Sequence, residues 1–419
     1  MVSISKTNQF SSQVTQNYFA WLARDYLRLH DKVKGVINAM RKLQTSDLIT
    51  PALLIDLKRL ENNLRSMAEK AEYNGVNLRP HIKTHKCIEI GMKQLEYGAH
   101  GVTVSTMEEA RVFADAGFDD ITYAVPLVPN KFDSVQHVSQ KAHLNVLLDN
   151  ENIVEQLNTF CNRTEISLDV FVKVDCGYPR CGISPEGQAA INFVKRIVEK
   201  PHLDFKGILT HAGHSYNATT VDEIKKIARH EQDVMIRFAK ALTAESNKLS
   251  PEVVSIGSTP TVCFTDTFQE GITEIRPGNY VFFDYTQVAL GSCKVKDCAL
   301  TVVSSVISTN PGRFIIDAGA TALSKDLGPT HIEQTPCYGK IFKDYDRVEL
   351  DSGVLIESLS QEHGKVVYQE SASKKYDFGE MVRILPNHSC LTANLSDKYQ
   401  VVKDDVVLDE WKVHRVRTA

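Results

Sequence analysis

The segment Arg79-Pro80-His81-Ile82-Lys83-Thr84-His85-Lys86 follows the run Val76-Asn77-Leu78, and this transition begins the part of the chain whose pattern predicts the fold. Because side chains on a strand alternate between two faces, an extended segment would separate its basic from its apolar side chains. The basic face would carry Arg79, His81, Lys83 and His85. Lys86 would lie on the opposite face.

This crowded basic face has two interpretations. For one short cluster, an exposed basic loop is the simpler of the two. The other is a site that binds an anionic cofactor through a lysine. Neighbouring positive charge would lower the pKa of Lys83, leaving a neutral amine that can form a Schiff base. Since Lys86 would lie on the opposite face of the strand, Lys83 is the predicted nucleophile.

The composition is that of a globular protein. Hydrophobic residues make up 42% of the chain and charged residues 24%. A formal net charge of -4 argues against general nucleic-acid affinity, and no apolar run is long enough to span a bilayer. The N-terminus lacks the apolar core of a secretory signal. Nine cysteines, an odd number without regular spacing, indicate a reduced, cytoplasmic location.

The length of 419 residues predicts more than one domain. Residues 1–46 form a predicted helical extension, because apolar residues between Phe19 and Ile37 recur at steps of three and four. Residues 47–285 alternate short apolar runs with segments of helical period. The predicted strands are Leu78–Lys83, Gly101–Ser105, Asp120–Ala124, Leu144–Leu148, Leu168–Val174, Phe205–Thr210, Val253–Ile256 and Ile272–Ile275.

Eight strands joined mainly by helices predict a parallel (β/α)8 barrel of the TIM type. A doubly wound open sheet is the alternative, but no Gly-x-Gly-x-x-Gly turn follows the first strand. In residues 286–419 the pattern changes to β-branched runs separated by turn signals, which predicts a mostly antiparallel β domain. Its predicted strands are Cys298–Ser308, Arg313–Ile316, Gly353–Leu359, Lys365–Gln369, Met381–Leu385 and Val401–Val407.

In a parallel barrel, chemistry gathers at the carboxyl ends of the strands. Polar residues follow several predicted strands: Lys83 after the first, Arg180 after the fifth, and His211 and Tyr216 after the sixth. Small residues after the last two strands leave backbone N–H groups open to cradle a phosphate. Each element alone is an ordinary turn, but their joint placement with a candidate Schiff-base lysine predicts a cofactor site.

The chain resembles the pyridoxal-phosphate enzymes built on an alanine-racemase-like barrel plus a β domain, and within them the D-serine dehydratase and D-threonine aldolase group. The resemblance runs from about Thr50 to near the C-terminus, and Pro80-His81-Ile82-Lys83-Thr84-His85-Lys86 looks like the group's lysine motif. It implies that Lys83 forms the Schiff base with pyridoxal phosphate. Asp317-Ala318-Gly319 and Ser324-Lys325-Asp326 also match the group, but the sequence gives them no role.

The resemblance also implies which residues surround the cofactor. His211 is expected against the pyridine ring, and Arg180 near the ring hydroxyl. Arg276 and Tyr216 are alternative partners of the pyridine nitrogen. The residues expected around the phosphate are Gly257, Ser258, Thr259, Gly278 and Asn279.

The segment Leu385-Pro386-Asn387-His388-Ser389-Cys390 carries a histidine and a cysteine two positions apart. On a strand or tight turn, this spacing can aim both side chains at one metal ion, and imidazole with thiolate favours zinc. Taken alone, His-x-Cys is a frequent coincidence. In the resembling group, D-serine dehydratases have His-x-Cys, whereas the aldolases tend to place a carboxylate second. His388 and Cys390 are therefore the predicted zinc ligands.

The implied activity is a lyase reaction that converts D-serine, or a related D-3-hydroxy amino acid, to a keto acid and ammonia. Lys83 would remove the Cα proton, and zinc would polarise the leaving hydroxyl group. Arg79 and His81 are candidates for holding the cofactor phosphate or the substrate carboxylate. The resemblance also implies a homodimer, although the sequence itself shows no interface.

Three alternatives remain at this point. Retro-aldol cleavage of D-threonine would need the same cofactor and metal. Dehydration of D-threo-3-hydroxyaspartate would need an extra cationic contact for the second carboxylate. A non-enzymatic pyridoxal-phosphate carrier would need only the barrel and its lysine, so the β domain and the pair His388 and Cys390 argue against it.

Overall fold

The computed structural model describes residues 43–415. The predicted helix between Phe19 and Ile37 lies outside the described residues. The described part forms two sheets, an eight-stranded parallel sheet and a ten-stranded, mainly antiparallel one. Within residues 43–415, no helix is both long enough and apolar enough to cross a lipid bilayer.

The first part of the chain builds the parallel sheet. In chain order, its elements are β1 (Ala52–Asp56), α1 (Leu57–Tyr73), β2 (Asn77–Leu78), α2 (Ile88–Glu96), β3 (Val102–Val104), α3 (Met107–Asp115), β4 (Asp120–Pro126), α4 (Phe132–Ser139), β5 (His143–Leu148), α5 (Glu151–Thr164), β6 (Leu168–Lys173), α6 (Gly187–Val198), β7 (Leu203–Leu209), α7 (Val221–Glu245), β8 (Val253–Ile256), α8 (Thr259–Cys263) and β9 (Glu274–Ile275). All of these strands except β1 belong to the parallel sheet.

The parallel sheet closes on itself. Its order is β2-β9-β8-β7-β6-β5-β4-β3, and a parallel bridge between His81 and Thr103 joins its two ends. The Thr103 N–H donates to the Pro80 carbonyl at 2.8 Å, and the His100 N–H donates to the Leu78 carbonyl at 2.8 Å. The predicted barrel is therefore confirmed, and its strand ends face one common mouth.

Helices cover the barrel because their apolar residues recur at the helical period. In α6, the buried residues Ala190, Phe193, Val194 and Ile197 lie on one face and pack against the strands. Side-chain caps start the helices at defined points: the Thr106 hydroxyl accepts the Glu109 N–H at the start of α3. The last link of the barrel, between β8 and β9, contains only the five-residue α8.

The rest of the chain builds the second sheet. Its elements are α9 (Tyr285–Ala289), β10 (Leu300–Asn310), β11 (Arg313–Ile316), α10 (Ala320–Leu323), β12 (Lys340–Asp344), β13 (Glu349–Leu350), β14 (Val354–Leu359), β15 (Gly364–Tyr368), β16 (Met381–Leu385), α11 (Ser389–Ala393), β17 (Lys398–Lys403) and β18 (Val406–Lys412). Its pairs are antiparallel except for β1 with β17, so the predicted β domain is confirmed.

Two details of the second sheet differ from prediction. The strand β1, which precedes the barrel in sequence, lies in this sheet between β10 and β17. The predicted strand Val401–Val407 is instead the end of β17, a turn and the start of β18. Asp404 and Asp405 both have positive φ, at 49° and 60°, as a two-residue hairpin turn requires.

The predicted strand Leu78–Lys83 is wrong beyond its first residue. The strand β2 ends at Leu78, and Ile82–Thr84 forms a turn of 3-10 helix. Proline cannot donate a ladder hydrogen bond, and Pro80 falls where the strand has stopped. Because the segment is not extended, the side chains of the basic cluster do not alternate between two faces.

Candidate active site

A cavity of about 610 Å³ lies where the carboxyl ends of the barrel strands meet the second sheet. Its volume falls in the range of small-molecule sites. Eleven of the twelve predicted site residues line it: Lys83, Arg180, His211, Tyr216, Ser258, Thr259, Arg276, Gly278, Asn279, His388 and Cys390. The twelfth, Gly257, lies behind the wall, where its N–H donates to Glu231 Oε1 at 3.0 Å.

Lys83 lies on the 3-10 turn and is half-buried in the cavity wall. Burial is the largest cause that lowers the pKa of Lys83; Arg180 and Arg276 lower it further, while Cys390 and Glu109 oppose the shift. The direction of the predicted shift is therefore correct, but desolvation outweighs the neighbouring positive charge that was expected to cause it.

Lys86 was predicted to lie on the face opposite Lys83. This prediction is wrong, because both lysines line the cavity. Lys86 has a positive φ of 47°, and its Nζ lies 2.6 Å from Asn394 Oδ1 and 3.4 Å from Glu109 Oε1. Both contacts hold the Lys86 amine in place, so it is not free to attack a carbonyl group. Lys83 therefore remains the better nucleophile for a different physical reason.

Arg79 and His85 do not belong to the site. Arg79 is buried inside the barrel, with Nε 2.7 Å from Glu274 Oε2 and two further hydrogen bonds to Asp120. His85 is fully buried and its Nε2 lies 3.2 Å from Gln94 Oε1. The idea that Arg79 holds a phosphate or a carboxylate is therefore wrong.

His81 and His211 face the same cavity and contribute little positive charge to it. Burial lowers the pKa of both imidazoles well below the usual value, and Lys83 lowers both further. His81 Nδ1 is buried and has no hydrogen-bond partner among residues 43–415. His211 Nδ1 lies 3.4 Å from the Gly257 carbonyl oxygen. Two largely neutral rings thus stand beside Lys83.

Two arginines supply the charge of the barrel mouth. Arg276 is buried: its Nη1 donates to Ser255 Oγ at 2.5 Å and its Nη2 donates to the Thr210 carbonyl. Burial lowers the pKa of Arg276 to about 10, so it stays protonated at neutral pH. Arg180 is exposed and lies 5.3 Å from the centre of the Tyr178 ring. The two alternatives for the pyridine nitrogen, Arg276 and Tyr216, both line the cavity.

The predicted phosphate cradle consists of the turns after β8 and β9. Ser258 Oγ accepts the Thr261 N–H and lies 2.9 Å from Ser215 Oγ. At Gly278, an added Cβ would lie 3.0 Å from the His81 carbonyl oxygen and 3.1 Å from Thr84 Oγ1. Any side chain at this position would therefore push the turn after β9 away from the Lys83 turn by a few tenths of an ångström.

His388 and Cys390 enter the cavity from the second sheet, at the start of α11. His388 Nδ1 lies 3.1 Å from Asp326 Oδ2, and Cys390 Sγ lies 3.3 Å from Thr84 Oγ1. Burial opposes ionisation of both groups, yet Asp326 and Cys390 raise the pKa of His388 well above its usual value. His388 in turn lowers the pKa of Cys390.

Asp326 is a site residue that the sequence argument matched without assigning a role. A carboxylate that holds one ring nitrogen fixes the imidazole orientation and leaves the other nitrogen for a metal, as in known histidine metal sites. Among residues 43–415, no group of three or more His, Cys, Asp or Glu side chains is arranged to hold a metal ion. A metal at His388 and Cys390 would therefore keep open positions for substrate or water.

Glu231 is a second residue that the sequence argument missed. It is buried on α7, and its Oε1 accepts the N–H of Ala212 at 3.1 Å and of Gly257 at 3.0 Å. It thus joins the turn after β7, which carries His211, to the turn after β8. A signal was present, because Glu231 occupies the apolar stripe that Ile224, Ala228 and Met235 form on this helix.

We expect Glu231→Ala to lower the free energy of unfolding by about 2–4 kcal/mol, because two buried N–H groups lose their acceptor. Glu231→Gln retains an acceptor oxygen in the same place and should cost less than half as much. Chemical denaturation monitored by circular dichroism measures both values. Equal losses in the two variants would show that the hydrogen bonds to Ala212 and Gly257 are not what Glu231 contributes.

Comparison with known proteins agrees with this architecture. Residues 55–286 match the family model of the alanine racemase N-terminal domain, and residues 299–402 match a putative serine dehydratase domain. The chain is 37% identical to a D-serine dehydratase of Dictyostelium discoideum over 86% of this chain and 95% of that protein.

Solved structures give the same picture. The D-threo-3-hydroxyaspartate dehydratase from Delftia sp. HT23 superposes with a TM-score of 0.83 at 31% identity, covering 90% of this chain and all of that one. A D-threonine aldolase from Filomicrobium marinum superposes at 0.80 and 29% identity, covering 89% and 98%. Alanine racemase, at 12% identity, shares the fold.

Variants of a D-threo-3-hydroxyaspartate dehydratase have also been solved. One replaces a histidine and another, in a metal-free form, replaces a cysteine two positions later, which is the spacing of His388 and Cys390 in this chain. Both domain matches and the close relatives agree with the barrel, the second sheet and the cavity between them. This chain therefore belongs to the alanine-racemase-like enzymes that carry a serine dehydratase domain, the family of lyases that includes the D-serine dehydratases.

Proposed function

We propose that this enzyme binds pyridoxal phosphate and zinc and converts D-serine to pyruvate and ammonia. The observation that carries the proposal is that His388 and Cys390 open into the same cavity as Lys83. An amine for the Cα proton and a metal site for the β-hydroxyl group are both needed to eliminate water from a 3-hydroxy amino acid.

The residues of the cavity fit pyridoxal phosphate. Ser258, Thr259 and Asn279 line the cavity beside Gly278, and we assign the hydroxyl groups of Ser258 and Thr259 and the backbone N–H groups of these turns to the phosphate. His211 and Arg180 also line the cavity, and we assign them to the pyridine ring and its hydroxyl group. When bound, this cofactor acts as an electron sink for the electron pair that remains after Cα loses its proton.

Lys83 holds and moves the Cα proton in this proposal. Because burial lowers the pKa of Lys83, its neutral amine, the form that can accept a proton, is more accessible than in a solvent-exposed lysine. Glu109 lies near this amine and opposes the shift, but its carboxylate is already paired with Lys86 and bonded to the Ser105 N–H at 2.7 Å. The protonated Arg276 keeps the cavity favourable to anionic groups of cofactor and substrate.

The metal ligands of the proposal are His388, through Nε2, and Cys390, through Sγ. Asp326 accepts a hydrogen bond from His388 Nδ1 and so fixes the ring. An imidazole and a thiolate suit zinc better than magnesium or manganese. When bound, zinc polarises the substrate β-hydroxyl group as a Lewis acid, which makes hydroxide a better leaving group.

Two features favour D-serine among the alternatives. A cysteine at the second ligand position resembles the dehydratases of the group rather than its aldolases. Lys86, which lines the cavity, is already paired with Glu109 at 3.4 Å and is therefore less free to meet a second substrate carboxylate, which disfavours 3-hydroxyaspartate. A pyridoxal-phosphate carrier has no use for His388, Cys390 and Asp326.

The function is tested by measuring pyruvate release from D-serine, with L-serine as the control substrate. We expect pyruvate from D-serine alone, at least about tenfold less after a chelator has removed the metal, and recovery when zinc is added back. Cys390→Ala should lose the zinc-dependent part of the rate. Glycine and acetaldehyde from D-threonine would support the aldolase instead, and full activity with chelator present would exclude a role for zinc.

Lys83→Ala should lack the visible absorption band that a lysine-bound pyridoxal phosphate shows, because Lys86, the other lysine that lines the cavity among residues 43–415, is paired with Glu109. Turnover should fall by about 10³-fold or more, since the same amine moves the Cα proton. Lys86→Ala is the matched control and should keep the band. A band that survives in Lys83→Ala and disappears in Lys86→Ala would reverse the assignment of the two lysines.

We further propose that the enzyme is a cytoplasmic homodimer. All nine cysteines are free thiols, as in a reducing compartment. Leu327 and Leu391 lie exposed near the cavity, where a second subunit could cover them.

Light scattering after size exclusion should give about twice the chain mass of 46.9 kDa. A mass of one chain at micromolar concentration would contradict the dimer.

A further inference from the structure

A buried carboxylate joins the two halves of the site. Asp284 is 1% exposed and lies between the end of the barrel and the second sheet. Its Oδ2 accepts hydrogen bonds from Asn279 Nδ2 at 2.6 Å, from the Ser389 N–H at 2.8 Å and from Ser389 Oγ at 3.1 Å. Its Oδ1 accepts the Gln287 N–H at 3.0 Å and caps α9.

The donors on Oδ2 come from two different binding regions. Asn279 follows Gly278 in the turn that cradles the cofactor phosphate in the proposed function. Ser389 lies between the two proposed metal ligands, His388 and Cys390. A single oxygen atom is therefore the common acceptor of the cofactor turn and of the metal-ligand turn.

Asp284 also fixes the orientation of the Asn279 amide. A carboxylate accepts only from the NH2 end of an amide, so Nδ2 faces Asp284 and Ser389 Oγ, the latter at 3.0 Å. Asn279 Oδ1 is then turned away and is buried without a hydrogen-bond partner among the described residues. The same Nδ2 lies 3.7 Å from Cys390 Sγ, so the cofactor turn reaches the metal ligand itself.

An ionised group is costly to bury unless its hydrogen bonds are kept, so the carboxylate opposes separation of the two turns. A ligand that orders Asn279 fixes the position of Oδ2 and with it the backbone of Ser389. A ligand that holds Asn279 in place therefore also holds Ser389 between the two metal ligands. A gain in affinity at one site is then matched by the same factor at the other.

We propose that Asp284 is a positioning residue that couples cofactor binding to metal binding, so that pyridoxal phosphate and zinc each raise the other's affinity. This inference rests on the proposed function, because it needs both groups to bind in this cavity. Asp284 contacts neither group in the proposal and acts through Asn279 and Ser389.

The test is a measurement of zinc affinity in two forms of the full-length enzyme. Zinc is titrated against a chromophoric competing chelator, once in the cofactor-free enzyme and once in the cofactor-loaded enzyme after free pyridoxal phosphate has been removed. In the wild type we expect zinc to bind about 5- to 50-fold more tightly in the loaded form. In Asp284→Asn the two affinities should agree within about twofold, because an amide has one acceptor oxygen and its NH2 group must face either the Gln287 N–H or the donors of the two turns.

Asp326→Asn is the matched control. Asp326 holds His388 and has no hydrogen bond to Asn279 or Ser389, so this variant should weaken zinc binding in both forms and keep the wild-type ratio. If Asp284→Asn does not fold, Ser389→Ala is the second variant, because it removes only the hydroxyl contacts. The ratio of zinc affinity in the loaded enzyme to that in the cofactor-free enzyme should then fall part of the way to one.

Several outcomes would overturn the inference. A wild-type ratio of one, or a wild-type ratio retained in both Asp284→Asn and Ser389→Ala, would show that Asp284 does not couple the sites. Loss of the ratio in Asp326→Asn would show that the coupling does not depend on Asp284 in particular. Absence of zinc or pyridoxal-phosphate binding in the wild type would instead refute the proposed function.

Discussion

The site depends on the seam between the barrel and the second sheet. The turn that carries Lys83 belongs to the barrel, but the residues that follow it accept hydrogen bonds from the second sheet. The Tyr399 hydroxyl donates to the His85 carbonyl at 2.7 Å, and the His414 N–H donates to the Lys86 carbonyl at 2.7 Å. Lys86 Nζ reaches Asn394 Oδ1 at 2.6 Å, just after the helix that begins beside His388. If this seam opened, Lys83 and the metal ligands would no longer share a cavity.

A second set of contacts fixes the other wall through the barrel interior. Arg79 bridges Asp120 and Glu274, and Ser255 Oγ donates to Glu274 at 2.5 Å while accepting from Arg276 at 2.5 Å. Buried charges are tolerated when they are paired or hydrogen-bonded. Arg79 forms ion pairs with Asp120 and Glu274, and Arg276 donates hydrogen bonds to Ser255 and the Thr210 carbonyl. Arg276 is thus held in place by residues that do not touch the cavity.

The predictions from sequence succeeded where local pattern carries the information. Hydrophobic runs and helical periods placed β3 to β9 and α6, because burial of one face is a local property of each element. The same logic failed at Arg79 and His85, since it assumed an extended segment where the chain turns after Pro80. Glu231 and Asp326 were missed or left without a role because their partners are backbone or side-chain groups far away in sequence.

What the sequence by itself determined is the order of strands and helices, the two-part architecture, and the residue types of the site, since periodicity and strand-end motifs are encoded locally. What only the tertiary structure decided is which of these residues meet. Lys83 and Lys86 are alike in sequence, and tertiary contacts distinguish them: Lys86 is held by Glu109 at 3.4 Å and by Asn394 at 2.6 Å. Likewise, Cys390 becomes part of the Lys83 site because its sulfur lies 3.3 Å from Thr84, a contact across 306 positions that no local pattern specifies.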